Sequence, residues 1–311
     1  MAKTKFEVDR GLTARMITTV FLLGLVYAIG VTAALIAGAP VVTVVVIAAV
    51  ILCMQYYFSD RIALWSMKAE IVTPEQAPGL HAVVDRLCSL ADMPKPRVAI
   101  AKTDMPNAFA TGRSQKAAVL CVTTGLVRRL DNEELEAVLA HELSHVAHRD
   151  VAVMTIASFL GILAGLVTRL LFYSELFGGM GGRGRGGGRN QGMAQLAALE
   201  FAALLFSALI YAISFLLIRA LSRYRELAAD RSGAILIGQP RVLASALVKV
   251  TGDIGRIPTR DLRSAQMFNA FFFAPASTKG VSISSLFATH PSLDVRLEQL
   301  AKLEAAMGRQ G

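Results

Sequence analysis

A histidine and glutamate pair, followed closely by a second histidine, is the strongest chemical pattern in the chain. His141, Glu142 and His145 form an H-E-x-x-H sequence. On a helix the two histidines lie about 40° apart on one face, so both imidazoles can hold one zinc ion at about 2.0–2.1 Å. Glu142 lies beside them and can take a proton from a water that the metal activates. The pattern therefore predicts a hydrolytic zinc site.

The sequence offers few candidates for a third metal ligand. Five histidines are present, and His290 is the only one after residue 168. The acidic candidates after the last long apolar run are Glu226, Asp230, Asp253, Asp261, Asp294, Glu298 and Glu304.

Helix geometry favours Glu226 among these candidates. No Gly or Pro lies between residues 193 and 231, so one continuous helix is predicted there. Glu226 lies about 12 Å beyond the apolar run 201–218, and the two histidines lie about 9 and 15 Å before the preceding run. If the two helices are antiparallel neighbours, the side chains of Glu226 and the two histidines lie at the same height above the membrane. Asp230, one turn further on, would orient an imidazole by accepting its second N–H. His290 stays the alternative third ligand.

The H-E-x-x-H helix has a well-defined predicted start. Asp131 followed by Glu134 is a capping-box pattern, which places the first helical residue near Asn132. Because no proline follows before residue 168, the helix is predicted to continue into the next apolar run. His148 shares a face with the motif but lies about 10 Å along the axis from the first histidine, too far to share its ion.

Four uncharged apolar runs alternate with polar sequence, in a chain of 54% hydrophobic and 18% charged residues. A membrane-spanning helix needs about 20 mostly apolar residues. The runs at 16–39, 41–58, 151–168 and 201–218 are therefore predicted to be four transmembrane helices. A signal peptide is the alternative for the first run, which exceeds the usual apolar core of such a peptide. Buried core helices are the alternative for the last two.

An even number of spans places the polar parts on one side of the membrane. Lys and Arg near the ends of the spans favour the cytoplasm for that side. These residues are Lys3, Lys5, Arg10, Arg15, Arg61, Lys68, Arg219, Arg223 and Arg225. Three arginines at 183–189, between the last two runs, oppose this orientation. The net charge of +9 suits an anionic membrane surface, and no nucleic-acid partner is predicted because aromatic and basic residues are not interleaved.

The polar sequence after the second run is predicted to contain a small β-sheet. An amphipathic helix is predicted over 79–91, and short valine-rich strands over 97–101 and 117–123. Small residues flank Phe109 between the two strands, which suits an exposed edge that a peptide substrate can join. The substrate-binding candidates are Asn107, Ala108, Phe109 and Ala110.

Together these features resemble the M48 metallopeptidases, and most closely their HtpX-type bacterial heat-shock membrane proteases. The resemblance rests on residues 105–112, 141–145, 222–230 and 289–291 and extends over nearly the whole chain. It implies one zinc ion per chain, in a gluzincin arrangement with Glu226 as third ligand. It also implies a multi-pass protein of the bacterial inner membrane that removes misfolded or damaged membrane proteins, with its active site facing the cytoplasm.

The predicted fold is mainly α-helical and integral to the membrane, with four transmembrane helices and a cytoplasmic zincin-like domain that contains a small β-sheet. Four segments are expected. Residues 1–58 hold the first two spans, 59–150 the H-E-x-x-H helix, 151–218 the last two spans, and 219–311 the third ligand.

The predicted activity is peptide hydrolysis by a zinc-dependent membrane endopeptidase. Glu142 would be the base. His290, biased toward an extended backbone by Pro291, would donate a hydrogen bond to the oxyanion of the transition state. A non-catalytic membrane scaffold with a structural zinc is the main alternative, although structural sites favour four protein ligands and cysteine. A metal transporter fits less well, because its ligands should lie within the spans.

Overall fold

The computed structural model describes Phe6 and residues 9–36, 41–150, 153, 190–254 and 290–309. The chain divides into two compact units. The sheet-containing unit comprises Met1–Ala14, Tyr56–Val153 and Leu221–Gly311, and the helical unit comprises Arg15–Gln55 and Met154–Ala220. All candidate site residues belong to the sheet-containing unit.

Most of the described chain is helical, with four short strands, which confirms the mainly α-helical class with a small sheet. In chain order the elements are α1 (Arg10–Ile36), α2 (Val41–Ser66), β1 (Ala69–Ile71), α3 (Pro78–Ala91), β2 (Arg97–Ala101), β3 (Ala108–Thr111), β4 (Val119–Thr123), α4 (Thr124–Arg129), α5 (Asn132–Ala147), α6 (Asn190–Ile237), α7 (Pro240–Ile254) and α8 (Leu293–Met307).

The first, second and fourth apolar runs begin on long helices, namely α1, α2 and α6. The third run, 151–168, and the arginine-containing loop at 183–189 lie outside the described residues. Within the described part of the chain, no helix has the length and apolarity needed to cross a membrane. The four transmembrane helices therefore stay a prediction.

The four strands form one mixed sheet in the order β1-β2-β4-β3. β1 is antiparallel to β2, β2 is parallel to β4, and β3 is antiparallel to β4. The strand predicted over 97–101 is confirmed. The strand predicted over 117–123 begins only at Val119, because Gln115–Ala117 form a 3₁₀ turn that the Ser114 side chain caps. β3 pairs with β4 alone among these strands and is an edge strand.

Apolar side chains cover both faces of the sheet. On one face, alternate strand residues such as Val98 and Leu120 pack with α3, α5, α7 and α8 in the larger core. On the opposite face, Ala99, Phe109 and neighbouring strand residues form a smaller core with Ala63 of α2. The helix predicted over 79–91 is confirmed as α3. The sheet thus separates α2 from α5.

α5 carries the H-E-x-x-H motif and starts as predicted. The Asp131 side chain accepts the N–H of Glu134 at 2.9 Å, and the Asp131 N–H donates to the Glu134 carboxylate at 3.2 Å, which confirms the capping box. The predicted continuation of this helix is wrong, because α5 ends at Ala147. Arg149 has a left-handed φ of 59°, a backbone conformation that ends a helix.

α6 passes α5 at very short range. It is one continuous helix through Glu226, as predicted, and ends at Ile237. A Cβ atom at Gly233 would lie 2.8 Å from the backbone nitrogen of His141 and 2.9 Å from its Cα. Glu226, Asp230 and Gly233 follow one another at helical spacing on one face. The absence of a side chain at Gly233 therefore lets this face approach the motif closely.

Gly233→Ala should force α5 and α6 apart. Overpacking of this kind typically costs about 1–3 kcal/mol, and the better helix propensity of alanine offsets only about 1 kcal/mol of that. We expect a lower thermal unfolding midpoint, followed by circular dichroism, together with weaker metal binding.

Gly252→Ala in α7 is the matched control, because nothing lies within 4 Å of a Cβ at that position. It should keep or raise the midpoint and leave metal binding unchanged. Equal behaviour of the two variants would contradict the packing argument.

Candidate metal centre

α5 and α6 bring three metal-binding side chains together. His141 Nε2 lies 3.6 Å from Glu226 Oε2, and His145 Nε2 lies 3.5 Å from Glu226 Oε1. All three residues are buried, and one ligand atom of each lies within 4.8 Å of the others. Tetrahedral ligands about 2.1 Å from a zinc ion lie about 3.4 Å apart. The cluster therefore fits a metal ion after a small adjustment and leaves a fourth position open.

A carboxylate lies against the far nitrogen of the first histidine. Asp230 Oδ1 is 2.9 Å from His141 Nδ1, which directs Nε2 toward Glu226. Arg296 of α8 donates two hydrogen bonds to Asp230, at 2.7 and 2.6 Å. Burial favours the neutral imidazole, but the contacts with Asp230 and Glu226 outweigh it and raise the pKa of His141 to about 9. A metal ion must therefore displace a proton from this histidine.

A second carboxylate lies against the far nitrogen of the second histidine. Asp150 Oδ2 is 2.7 Å from His145 Nδ1 and accepts a hydrogen bond from Arg225 Nε at 3.1 Å. Burial lowers the pKa of His145 despite the opposing effect of Asp150. Burial also opposes ionisation of Asp150, but its contacts with His145 and Arg225 hold the pKa of that carboxyl below its usual value.

Sequence reasoning missed Asp150 for a geometric reason. In an uninterrupted helix, a residue five positions after His145 lies about 140° around the axis from it. The left-handed Arg149 breaks the helix between them and turns the Asp150 side chain back toward the imidazole. The positive φ could not be inferred from an arginine in the sequence.

His290 lies beside the carboxylate of the cluster. Its Nδ1 is 3.1 Å from Glu226 Oε2, and the residue is buried. Burial opposes ionisation of Glu226, but His290, His141 and His145 hold its pKa well below the usual value. Glu226 is therefore ionised, as a metal ligand must be. The transition-state role predicted for His290 stays a prediction.

Glu142 lies between the ligand cluster and the edge strand. Its Oε2 accepts a hydrogen bond from the backbone N–H of Ala110 in β3, at 3.1 Å. Burial raises the pKa of Glu142 to about 7. A carboxyl group with such a pKa can both accept and release a proton near neutral pH.

The four substrate-binding candidates lie on or beside β3, with different surroundings. Asn107 is fully buried and pairs with Thr123, whose N–H donates to the Asn107 carbonyl at 2.9 Å. The Phe109 side chain packs in the smaller core, on the face away from α5. Given this register, the antiparallel ladder directs the backbone groups of Ala108 and Ala110 away from β4. The substrate-binding role of all four stays a prediction.

His148 lies outside the ligand cluster, as helix geometry predicted. Its ring Nδ1 hydrogen-bonds with the carbonyl oxygen of Ser144 at 2.8 Å, and its ring centre lies 6.1 Å from that of Phe6. These contacts place it at the end of α5.

The chemistry of this centre is that of a metallopeptidase. Residues 74–304 match Peptidase family M48, and the chain belongs to this family. This confirms the resemblance read from the motifs and the predicted peptidase activity, and it argues against a non-catalytic scaffold.

Relatives extend the match over nearly the full length. The chain is 57% identical over 307 residues to Protease HtpX homolog 1 of Streptomyces coelicolor, covering 98% of this chain and 97% of the relative. It is 53% identical over 300 residues to the Protease HtpX homolog of Moorella thermoacetica, covering 96% of each. The crystal structure of S. mikatae Ste24p is similar in fold, with a TM-score of 0.50 at 17% identity, over 96% of this chain and 68% of that one.

Asp150→Asn should weaken metal binding without removing a ligand. Asparagine keeps an acceptor oxygen but loses the charge that holds His145 and Arg225. Loss of such an orienting partner typically lowers metal affinity about 10–100-fold, which competition with a chelator would measure.

Asp85→Asn is the matched control, because the exposed Asp85 pairs with Lys95 at 2.8 Å away from the cluster. It should bind the metal ion with wild-type affinity. If the Asp150 variant also kept wild-type affinity, the carboxylate would have no part in holding the histidine.

Proposed function

We propose that this metallopeptidase is a zinc-dependent membrane endopeptidase that cleaves misfolded or damaged membrane proteins. The placement of Glu142 carries the proposal. Its carboxylate lies beside the cluster of His141, His145 and Glu226 and touches the edge strand at Ala110. A base, a metal-binding cluster and a strand that a peptide can join thus converge on one point.

Glu142 performs the proton transfers in this proposal. Zinc, when held by the cluster, supplies a Lewis acid for water and for the scissile carbonyl. The Glu142 carboxylate takes a proton from the attacking water and gives it to the leaving amine. The Ala110 N–H fixes the position of Oε2 during these steps.

The remaining site residues orient the ligands. Asp230 and Asp150 hold the two imidazoles in the tautomer that leaves Nε2 for the metal. His290 supports Glu226 through its contact at 3.1 Å, and its ring would donate a hydrogen bond to the oxyanion of the transition state. Nitrogen and carboxylate ligands of this kind suit zinc.

The apolar runs of the sequence support a membrane location. We assign spans one and two to residues 1–58 and spans three and four to residues 151–218, in a bacterial inner membrane. Segments 59–150 and 219–311 then lie in the cytoplasm, and the Lys and Arg residues at the ends of the spans support this orientation. The proposed partners are polypeptide substrates, membrane proteins among them, and the lipid bilayer.

Glu142→Gln should abolish cleavage while zinc stays bound. Glutamine keeps an oxygen that can accept the Ala110 N–H, but it cannot take a proton at neutral pH. We expect kcat on a casein-type substrate to fall by about 10²–10⁴-fold, with zinc content at the wild-type level by atomic absorption.

Glu226→Gln is the comparison variant, since it removes the charge of a ligand. It should lose zinc as well as activity. A Glu142→Gln enzyme within about tenfold of the wild-type kcat would refute the base role.

A peptide substrate that joins β3 should tolerate backbone N-methylation only at alternate positions. The Ala110 N–H is taken by Glu142, so the peptide would pair with the outward backbone groups of Ala108 and with the carbonyl oxygen of Ala110. This pairing would use every second N–H of the peptide. Loss of one such hydrogen bond raises KM by up to about tenfold. A series of singly methylated fluorogenic peptides would measure this.

The experiment alters the substrate and not the enzyme, because an Ala110→Pro variant would also lose the N–H that donates to Glu142. Methylation at the intervening positions is the internal control and should leave KM unchanged. A uniform response along the peptide would place the substrate elsewhere.

A further inference from the structure

A row of large apolar side chains is exposed on the last three turns of α2, within the sheet-containing unit. Trp65 is 83% exposed, and Tyr57, Phe58 and Ile62 are between 42% and 57% exposed. Their spacing places them on neighbouring turns of one side of the helix. We call these four residues the α2 apolar face.

The other side of this helix is committed to the sheet. Ala63 is buried in the smaller core. Asp60 Oδ2 pairs with Arg97 Nη2 of β2 at 2.7 Å, and the Tyr56 hydroxyl donates to the carbonyl oxygen of Arg113 at 3.4 Å. The helix therefore cannot roll to bury the α2 apolar face without breaking these contacts.

Two arginine side chains lie over aromatic rings of the α2 apolar face. The Arg61 guanidinium lies 5.7 Å from the centre of the Phe58 ring, and the Arg113 guanidinium lies 5.3 Å from the centre of the Tyr57 ring. Trp and Tyr beside Lys or Arg are typical of the boundary between lipid hydrocarbon and headgroups, where long cationic side chains reach the polar layer.

We propose that the α2 apolar face lies in the interfacial layer of a lipid bilayer, with Arg61 and Arg113 directed to lipid phosphates. This inference rests on the proposed membrane location. α2 starts with the uncharged residues 41–58 and continues through the apolar face without a break. The face is then the point at which this helix leaves the hydrocarbon.

Such a position would set the height of the catalytic centre above the lipid. Ala63 and Phe109 share the smaller core, and Phe109 belongs to β3, whose next residue donates to Glu142. Glu142 would therefore be separated from the lipid by α2, a helix about 10–12 Å thick, and by the sheet.

The chain contains a single tryptophan, so its fluorescence reports on Trp65 alone. The full-length protein would be reconstituted in phosphatidylcholine–phosphatidylglycerol vesicles in which part of the lipid carries bromine, either near the headgroup or near the end of the acyl chain. We expect the shallow bromines to quench the emission more strongly than the deep bromines, because Trp side chains at a membrane surface lie at the level of the headgroups. Acrylamide in the water should quench weakly.

Three results would overturn the proposal. Strong quenching by acrylamide without quenching by bromolipid would place Trp65 in water. Quenching by neither would show that protein, such as a second copy of the chain, covers the face. Strongest quenching by the deep bromines would place the face in the hydrocarbon.

A second single-tryptophan protein, Trp65→Phe with Leu90→Trp, is the matched control. Leu90 is also an exposed apolar residue, but it lies on α3, across the sheet from α2. Its tryptophan should respond to acrylamide and not to bromolipid, and equal bromolipid quenching at both positions would overturn the assignment to α2. Proteolysis in the same vesicles tests the peptidase function separately, because cleavage without lipid quenching would reject the interface alone.

Discussion

The catalytic centre depends on one backbone contact, between Gly233 of α6 and His141 of α5. Packed helices usually lie 8–10 Å apart, at a distance set by the side chains between them. Here a Cβ at residue 233 would come within 2.8 Å of the His141 nitrogen. This approach lets two short carboxylates on α6, Glu226 and Asp230, reach the two nitrogens of one imidazole, at 3.6 and 2.9 Å. A wider spacing would lose both contacts together.

Close approach also concentrates buried charge, which is costly unless each charge is paired. Three carboxylates have positive or imidazole partners. The pairs are Asp230 with Arg296, Asp150 with Arg225, and Glu226 with His290. Their pKa values are lowered in spite of burial. Glu142 is held instead by a backbone N–H, and burial raises its pKa to about 7. These three carboxylates therefore stay ionised, while Glu142 can change its protonation state near neutral pH.

Sequence reasoning worked where one continuous helix sets the geometry. The spacing of His141, Glu142 and His145, and that of Glu226 and Asp230, follows from 3.6 residues per turn once each helix is recognised. The capping box located the start of α5 for the same reason, since it is local.

Sequence reasoning failed where contacts between distant parts of the chain determine the position of a side chain or a strand. Asp150 depends on the left-handed break at Arg149, and Arg296 depends on the packing of α8 against α6, far away in the chain. β3 was inferred as an edge but not as a strand, because it is only four residues long and its two alanines weaken the strand signal of Phe109 and Thr111. Its conformation depends on pairing with β4.

β3 links the chemistry to the rest of the fold because its successive residues face different partners. The Phe109 side chain packs toward α2 in the smaller core, while the Ala110 N–H reaches Glu142 beside α5. A strand is extended over two residues, so Glu142 and α2 contact successive residues of one short element. Main-chain pairing of a peptide with β3 would select little by side chain. Selection would then follow from which extended segments can reach the edge, which agrees with the proposed cleavage of misfolded or damaged proteins.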